Sequence, residues 1–177
     1  AYPLHLTAKN LDKKAKRLNG NSITAQRRKR LSSIIGKLKR NPNMKLTQMQ
    51  DIGGCRAIVP TIEHVKELVR RYEVSIAKNP PKKEKASTRT ELVEKYDYIA
   101  QPKSDGYRSF HFVFRYRTTS QEKKAYDGLR IEVQIRSQLQ HAWATAVETI
   151  STFTEQALKS GLGDEKVFCA NEQPYCY

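Results

Sequence analysis

Residues 131–136 read Ile-Glu-Val-Gln-Ile-Arg, and alternation this strict constrains the fold more than any other stretch of the chain. In a strand, successive side chains point to opposite faces. Ile131, Val133 and Ile135 therefore share one face, and Glu132, Gln134 and Arg136 share the other. The first face needs a core behind it. The second sets a carboxylate, an amide and a guanidinium in a row between branched aliphatics, where a Glu is costly unless paired. An ion pair with Arg136 is one explanation for Glu132. Metal binding or general-base work is the other. A metal-bound polyphosphate suits this row better than a core or a plain surface does.

Residues 99–111 read Ile-Ala-Gln-Pro-Lys-Ser-Asp-Gly-Tyr-Arg-Ser-Phe-His. They describe a turn entering a strand. Ser109, His111 and Val113 fall on one side of that strand, and Phe110, Phe112 and Phe114 on the other. Lys103, Asp105, Tyr107 and His111 are thus grouped away from the aromatic core. A Tyr after a Gly at a strand entrance can stack on a nucleobase, a role that needs its ring and not its hydroxyl. It can equally be the edge of a core.

The remaining periodicities give an α+β protein. A short basic helix is predicted over 8–19, with Thr7 as N-cap and Gly20 past its end. A second helix is predicted over 28–40, with Leu31, Ile34, Ile35 and Leu38 on one face and Pro42 as its stop. A strand follows at 55–59, ended by Pro60, and a helix over 62–77. Residues 78–92, with Pro80, Pro81 and many charges, read as a mobile loop. Strands at 108–117 and 129–136 flank a polar stretch ending in Asp127-Gly128, the signature of an antiparallel hairpin. A last helix is predicted over about 137–160, with Leu139, Trp143, Ala146 and Ile150 packed inward. His141 and Glu148 lie on the same helix. Residues 164–177 show no period. The domain reading is a basic N-terminal helix (1–20), one main domain (21–163) and an irregular tail (164–177).

On the second helix, Lys29, Ser33 and Lys37 lie one turn apart, opposite the apolar face, with Arg27 just before them. Such a column can hold successive phosphates, although an ordinary solvated face gives the same pattern. Asp51 heads Asp-Ile-Gly-Gly-Cys-Arg, residues 51–56. Two glycines permit close approach of backbone to a ligand. An Asp placed before a buried strand can ligate Mg²⁺ together with phosphate oxygens, or cap a turn.

Charge points the same way. The net charge is +15, and residues 1–50 hold 13 Lys or Arg against one acid, Asp12. Such a field attracts polyanions, whether nucleotides, RNA or acidic headgroups. The three cysteines, Cys55, Cys169 and Cys176, have no zinc-like spacing and read as reduced thiols of a cytoplasmic protein. There is no apolar run of membrane-spanning length and no P-loop.

The order Arg27-x-Lys29, Ser33, Lys37, then Asp51-Ile-Gly-Gly-Cys-Arg56, then Tyr98-Ile-x-x-Pro-Lys103 with Gly106-Tyr107-Arg108-Ser109-x-His111, then Glu132-Val-Gln-Ile-Arg136 resembles the RelA/SpoT alarmone-synthetase domain, over about residues 20–160. The resemblance implies a mixed, largely antiparallel sheet flanked by helices, related to nucleotidyltransferases. It implies transfer of the β,γ-diphosphate of ATP to a nucleotide 3′-hydroxyl with Mg²⁺. Arg27, Lys29, Ser33 and Lys37, with Arg56, would serve ATP. Asp51 would hold the metal, and Glu132 would activate the acceptor hydroxyl or help hold the metal. Tyr107 would stack on the acceptor base, while Lys103, Asp105, His111, Gln134 and Arg136 would line the acceptor site. Asp105 stands where many relatives have Asn. The chain is similar to the small, synthetase-only members, which make guanosine tetra- or pentaphosphate. Some small members are toxins that act on the 3′ end of tRNA, so tRNA as acceptor and an antitoxin partner stay open, as does self-association. A catalytically silent RNA-binding module is the reading from another class.

Overall fold

The alternating segment forms the middle of a five-stranded sheet in a computed structural model that describes residues 2–46, 49–78, 88–104 and 106–153. The elements run α1 (Tyr2–Leu18), β1 (Ile23–Arg28), α2 (Leu31–Arg40), β2 (Gly53–Val59), α3 (Ile62–Lys78), β3 (Thr88–Asp97), β4 (Phe110–Thr118), β5 (Arg130–Ser137) and α4 (Gln138–Phe153). Sheet order is β1-β2-β5-β4-β3. Only the β2–β5 pair is parallel, and the other pairs are antiparallel. The expected α+β fold with a mixed, largely antiparallel sheet is the one observed.

The period-two pattern divides the sheet into two faces. Cys55, Ala57 and Val59 of β2, Ile131, Val133 and Ile135 of β5, and Phe110, Phe112 and Phe114 of β4 form the apolar face. Leu4, Leu11 and Ala15 of α1 close over it, together with Val65, Leu68, Val69 and Tyr72 of α3. The Tyr72 ring lies 5.3 Å from that of Phe112 and 6.1 Å from that of Phe114. Both helices take one side, so the opposite, polar face stays available for chemistry.

Cross-strand register places the polar groups together. Gly54 sits opposite Glu132, and Arg56 opposite Gln134. His111 sits opposite Gln134, and Tyr96 opposite His111. β4 and β5 form the predicted antiparallel pair. Gly128, at φ 83°, donates its N–H to Tyr116 O at 2.8 Å. Asp127 accepts from the Thr118 N–H at 3.0 Å.

Several elements differ from the sequence reading. Residues 23–28 form an edge strand, so Lys29 lies between β1 and α2 and does not begin a helix at 28. Residues 88–97 form the other edge strand, which removes 88–92 from the expected loop; residues 79–87 lie outside the described residues. α1 begins at Tyr2. Thr7 does not cap it but donates its hydroxyl to Pro3 O at 2.9 Å, inside the helix. The apolar stripe of α2 is not buried, with Leu31 and Ile35 exposed. On α4 the inward residue is Ala144, while Leu139 and Ile150 are exposed. The predicted helix beyond Phe153 and the tail lie outside the described residues.

Candidate active site

The polar face carries a closed set of side-chain bonds centred on Glu132. Its Oε1 lies 2.9 Å from His111 Nδ1, and its Oε2 accepts from Gln134 Nε2 at 2.8 Å. His111 Nε2 lies 2.9 Å from the Tyr107 hydroxyl. Arg136 donates to that same hydroxyl and to Gln134 Oε1 at 2.8 Å. His111, Gln134 and Arg136 are buried, at 5%, 8% and 5% exposure. Burial pushes the Glu132 carboxyl upward, but bonds from His111 and Gln134 outweigh it and hold the group below its ordinary range. Glu132 is therefore ionised.

Asp51 stands just before β2. Its Oδ2 accepts from Lys29 Nζ at 2.5 Å and its Oδ1 from Lys37 Nζ at 3.1 Å. Lys29 is fixed at the end of β1, where its N–H donates to Ile52 O at 2.9 Å. Lys37 reaches in from α2. Burial opposes ionisation of Asp51, yet the two ammonium groups keep its carboxyl below the ordinary value. Its negative charge also acts on Glu132. Gly54 lies against Glu132. A Cβ there would lie 3.3 Å from Glu132 O and 3.9 Å from Glu132 Oε2.

These groups fit a Mg²⁺ ion. Two carboxylates held below their ordinary values act on each other within a domain of high positive charge. No group of three or more His, Cys, Asp or Glu suited to a metal exists among the described residues. Mg²⁺ takes one or two carboxylates and completes its shell with phosphate oxygens and water.

A second zone lies toward α4 and is cationic. Arg56 and Arg136 act on each other electrostatically, and Arg27 acts on Arg56. Burial, then Arg136 and Arg27, disfavour the charged Arg56 guanidinium. The Nε atoms of Arg56 and Arg136 and His141 Nδ1 are buried without a protein partner. Buried donors left in that state fit an arriving anion. His141 is held below the ordinary imidazole value by burial and by the same two arginines.

A third zone is aromatic. Tyr96 and Tyr98 stack with centroids 5.7 Å apart and planes 3° from parallel. Tyr98 meets His111 edge-on at 5.0 Å and Tyr107 at 6.0 Å. Lys103 Nζ lies 4.6 Å from the Tyr98 ring and 5.3 Å from the Tyr107 ring. Arg136 Cζ lies 4.7 Å from the Tyr107 ring.

The structure thus gathers Arg56, Lys103, Tyr107, His111, Glu132, Gln134 and Arg136 on one face, with Lys29, Lys37 and Asp51 at its edge. The expected helical column of Lys29, Ser33 and Lys37 does not form as such. Lys29 precedes the helix, both lysines meet at Asp51, and Ser33 is exposed on α2. Arg27 is exposed on β1, opposite Gly54. Asp105 lies outside the described residues. The sequence reading did not place Tyr96 or Tyr98 in this aromatic zone. Tyr96 had a usable signal, since it shares a face with His111 once β3 is known to pair with β4.

Residues 26–157 match the family model described as "Region found in RelA / SpoT proteins". This chain is a member of the RelA/SpoT family. It is 32% identical over 131 residues to the GTP pyrophosphokinase YjbM of Bacillus subtilis, covering 70% of this chain and 53% of that protein. The chain therefore spans about half the length of that relative. Two solved structures share the fold. The small alarmone synthetase 1 of Bacillus subtilis bound to its product pppGpp aligns with a TM-score of 0.65 at 25% identity, over 93% of this chain and 82% of that one. The small alarmone synthetase 2 of the same organism aligns with a TM-score of 0.68 at 24% identity, over 96% and 83%. No helix among the described residues is long and apolar enough to cross a membrane.

Proposed function

We propose that this chain transfers the β,γ-diphosphate of ATP to the 3′-hydroxyl of a guanine nucleotide. The carrying observation is the pair Asp51 and Glu132, both held below the ordinary carboxylate range and acting on each other, with two lysines on Asp51 and arginines near Glu132. The names of the relatives, a GTP pyrophosphokinase and a synthetase bound to pppGpp, support guanine as the acceptor base.

In this reading the acceptor 3′-oxygen attacks the β-phosphorus of ATP. The bond from that phosphorus to the α,β-bridging oxygen breaks, AMP leaves, and the hydroxyl proton passes to Glu132. Lys29 and Lys37 hold Asp51 and face the donor phosphates. Arg56, Arg27 and His141 receive the rest of the ATP anion and its base. Lys103 and the Tyr98 and Tyr107 rings receive the acceptor base, where stacking contributes about 1–3 kcal/mol. Mg²⁺ held by Asp51 and Glu132 would neutralise charge on the phosphate oxygens. Fixed cations aimed at a shifting charge are the main source of rate in such transfers.

The test is incubation with γ-labelled ATP and separate pools of GDP, GTP, ATP and deacylated tRNA. Label is expected on GDP or GTP. Label on tRNA alone would replace this acceptor with the 3′ end of an RNA.

A further inference from the structure

Arg136, Gln134, Glu132, His111 and Tyr107 close a five-membered circuit of side chains, and the chemistry of its two ends fixes the bonds that Arg136 and Glu132 make. A guanidinium only donates, and an ionised carboxylate only accepts. Arg136 is therefore the source and Glu132 the sink. Along one arm, Gln134 accepts from Arg136 at Oε1 and donates to Glu132 Oε2 from Nε2, which settles its amide orientation. Along the other arm, the Tyr107 oxygen accepts from Arg136 and lies 2.9 Å from His111 Nε2. Because the carboxylate only accepts, His111 Nδ1 donates to Glu132 Oε1 at 2.9 Å.

We infer that Tyr107, through its hydroxyl, and His111, through its Nδ1–H, are positioning residues that aim the Glu132 carboxylate at the acceptor hydroxyl. The inference rests on the transfer reaction proposed above. Each Glu132 oxygen spends one lone pair on the circuit. A carboxylate held at two points cannot rotate freely, so it meets the proton that leaves the 3′-oxygen in one orientation. Stacking alone gives the Tyr107 hydroxyl no task, because only the ring meets a base. The circuit gives it one.

Tyr107→Phe removes a single oxygen and keeps the ring, so it separates the two roles. With ATP saturating, its kcat is expected to fall roughly tenfold while the acceptor KM stays within about twofold, the pattern of a misaimed group. His111→Asn, whose amide can reach the Nδ1 position, is expected to recover most of the activity that His111→Leu loses. Long-range ¹H–¹⁵N spectra of the full chain provide a readout independent of turnover. The His111 ring, identified by the signal that His111→Asn removes, is expected to carry a proton on Nδ1, and its signature is expected to change in Tyr107→Phe. A wild-type ring protonated on Nε2 alone overturns the circuit. So does a Tyr107→Phe variant altered only in acceptor KM. If the wild type transfers label to no acceptor, the proposed function itself falls, and with it the role given to these two residues.

Discussion

Gly54 lies directly against Glu132, so the smallest substitution in the site should be among the most damaging. Gly54→Ala puts a Cβ 3.3 Å from Glu132 O and 3.9 Å from Oε2. We expect turnover to fall by roughly tenfold or more with folding retained, read by kcat beside thermal unfolding. Glu132→Gln should cost on the order of 10²-fold or more, because the amide can neither take a proton nor hold a cation. Near-normal turnover in that variant would remove Glu132 from the mechanism. On the other side of β2, Cys55 gives a pH test that does not involve the site. Burial, then the charge of Glu132, pushes its thiol up to about 12 from 9.0. Between those values the unfolded chain releases the proton and the folded chain keeps it. Stability should therefore fall as pH rises above 9, by up to about 1.4 kcal/mol per unit from this group. Cys55→Ala should flatten that slope, measured by denaturant unfolding at pH 8, 9 and 10.

Elements whose side chains alternate between core and site were legible in the sequence, because burial imposes a pattern on them. β2, β4, β5 and α3 sit within a residue or two of where period and punctuation put them. The two edge strands were not. Ile-Thr-Ala-Gln-Arg-Arg of β1 is exposed at all but one position, so water sets no alternation there and its arginines read as the start of α2. β3 is charged along much of its length, and its register shifts between Leu92 and Glu94; a bulge breaks the period on which recognition depends. The site suffered less, since four of its residues lie on β4 and β5. What failed was the part that depended on β1 and α2, where Lys29 and Lys37 meet at Asp51 from different elements. This predicts distinct phenotypes. Lys37→Ala should raise the KM for ATP more than that for the acceptor, and an effect confined to the acceptor would place α2 elsewhere. Leu11→Ala on α1, fully buried in the core, should instead cost about 2–5 kcal/mol of stability while leaving both KM values unchanged at temperatures where the variant is folded.

At the scale of the molecule, the sheet separates the positive charge of the chain into two fields. α1 and α3 cover the apolar face, so the exposed Lys9, Lys13, Lys16 and Arg17 of α1 lie on the far side of the sheet from Glu132. The cations that meet the site come instead from β1, α2, β2 and β5. Packed layers stand about 10 Å apart, and the screening length at physiological salt is about 8 Å, so the α1 charges contribute little at the reacting atoms. Changing those four residues together to Gln should leave kcat/KM for a guanine nucleotide within about twofold, with the same shallow dependence on salt. A polynucleotide acceptor behaves differently. It contacts several phosphates over a wide surface, so its use falls steeply with ionic strength and responds to basic residues well away from the site. The comparison is therefore between two variants and two acceptors across a salt series. If the α1 variant keeps transfer to GDP or GTP and the slope stays shallow, the acceptor is a mononucleotide read by the polar face alone. If the wild type labels tRNA, with a steep slope that the α1 variant reduces, the basic helix is part of the acceptor surface and the guanine-nucleotide assignment is wrong.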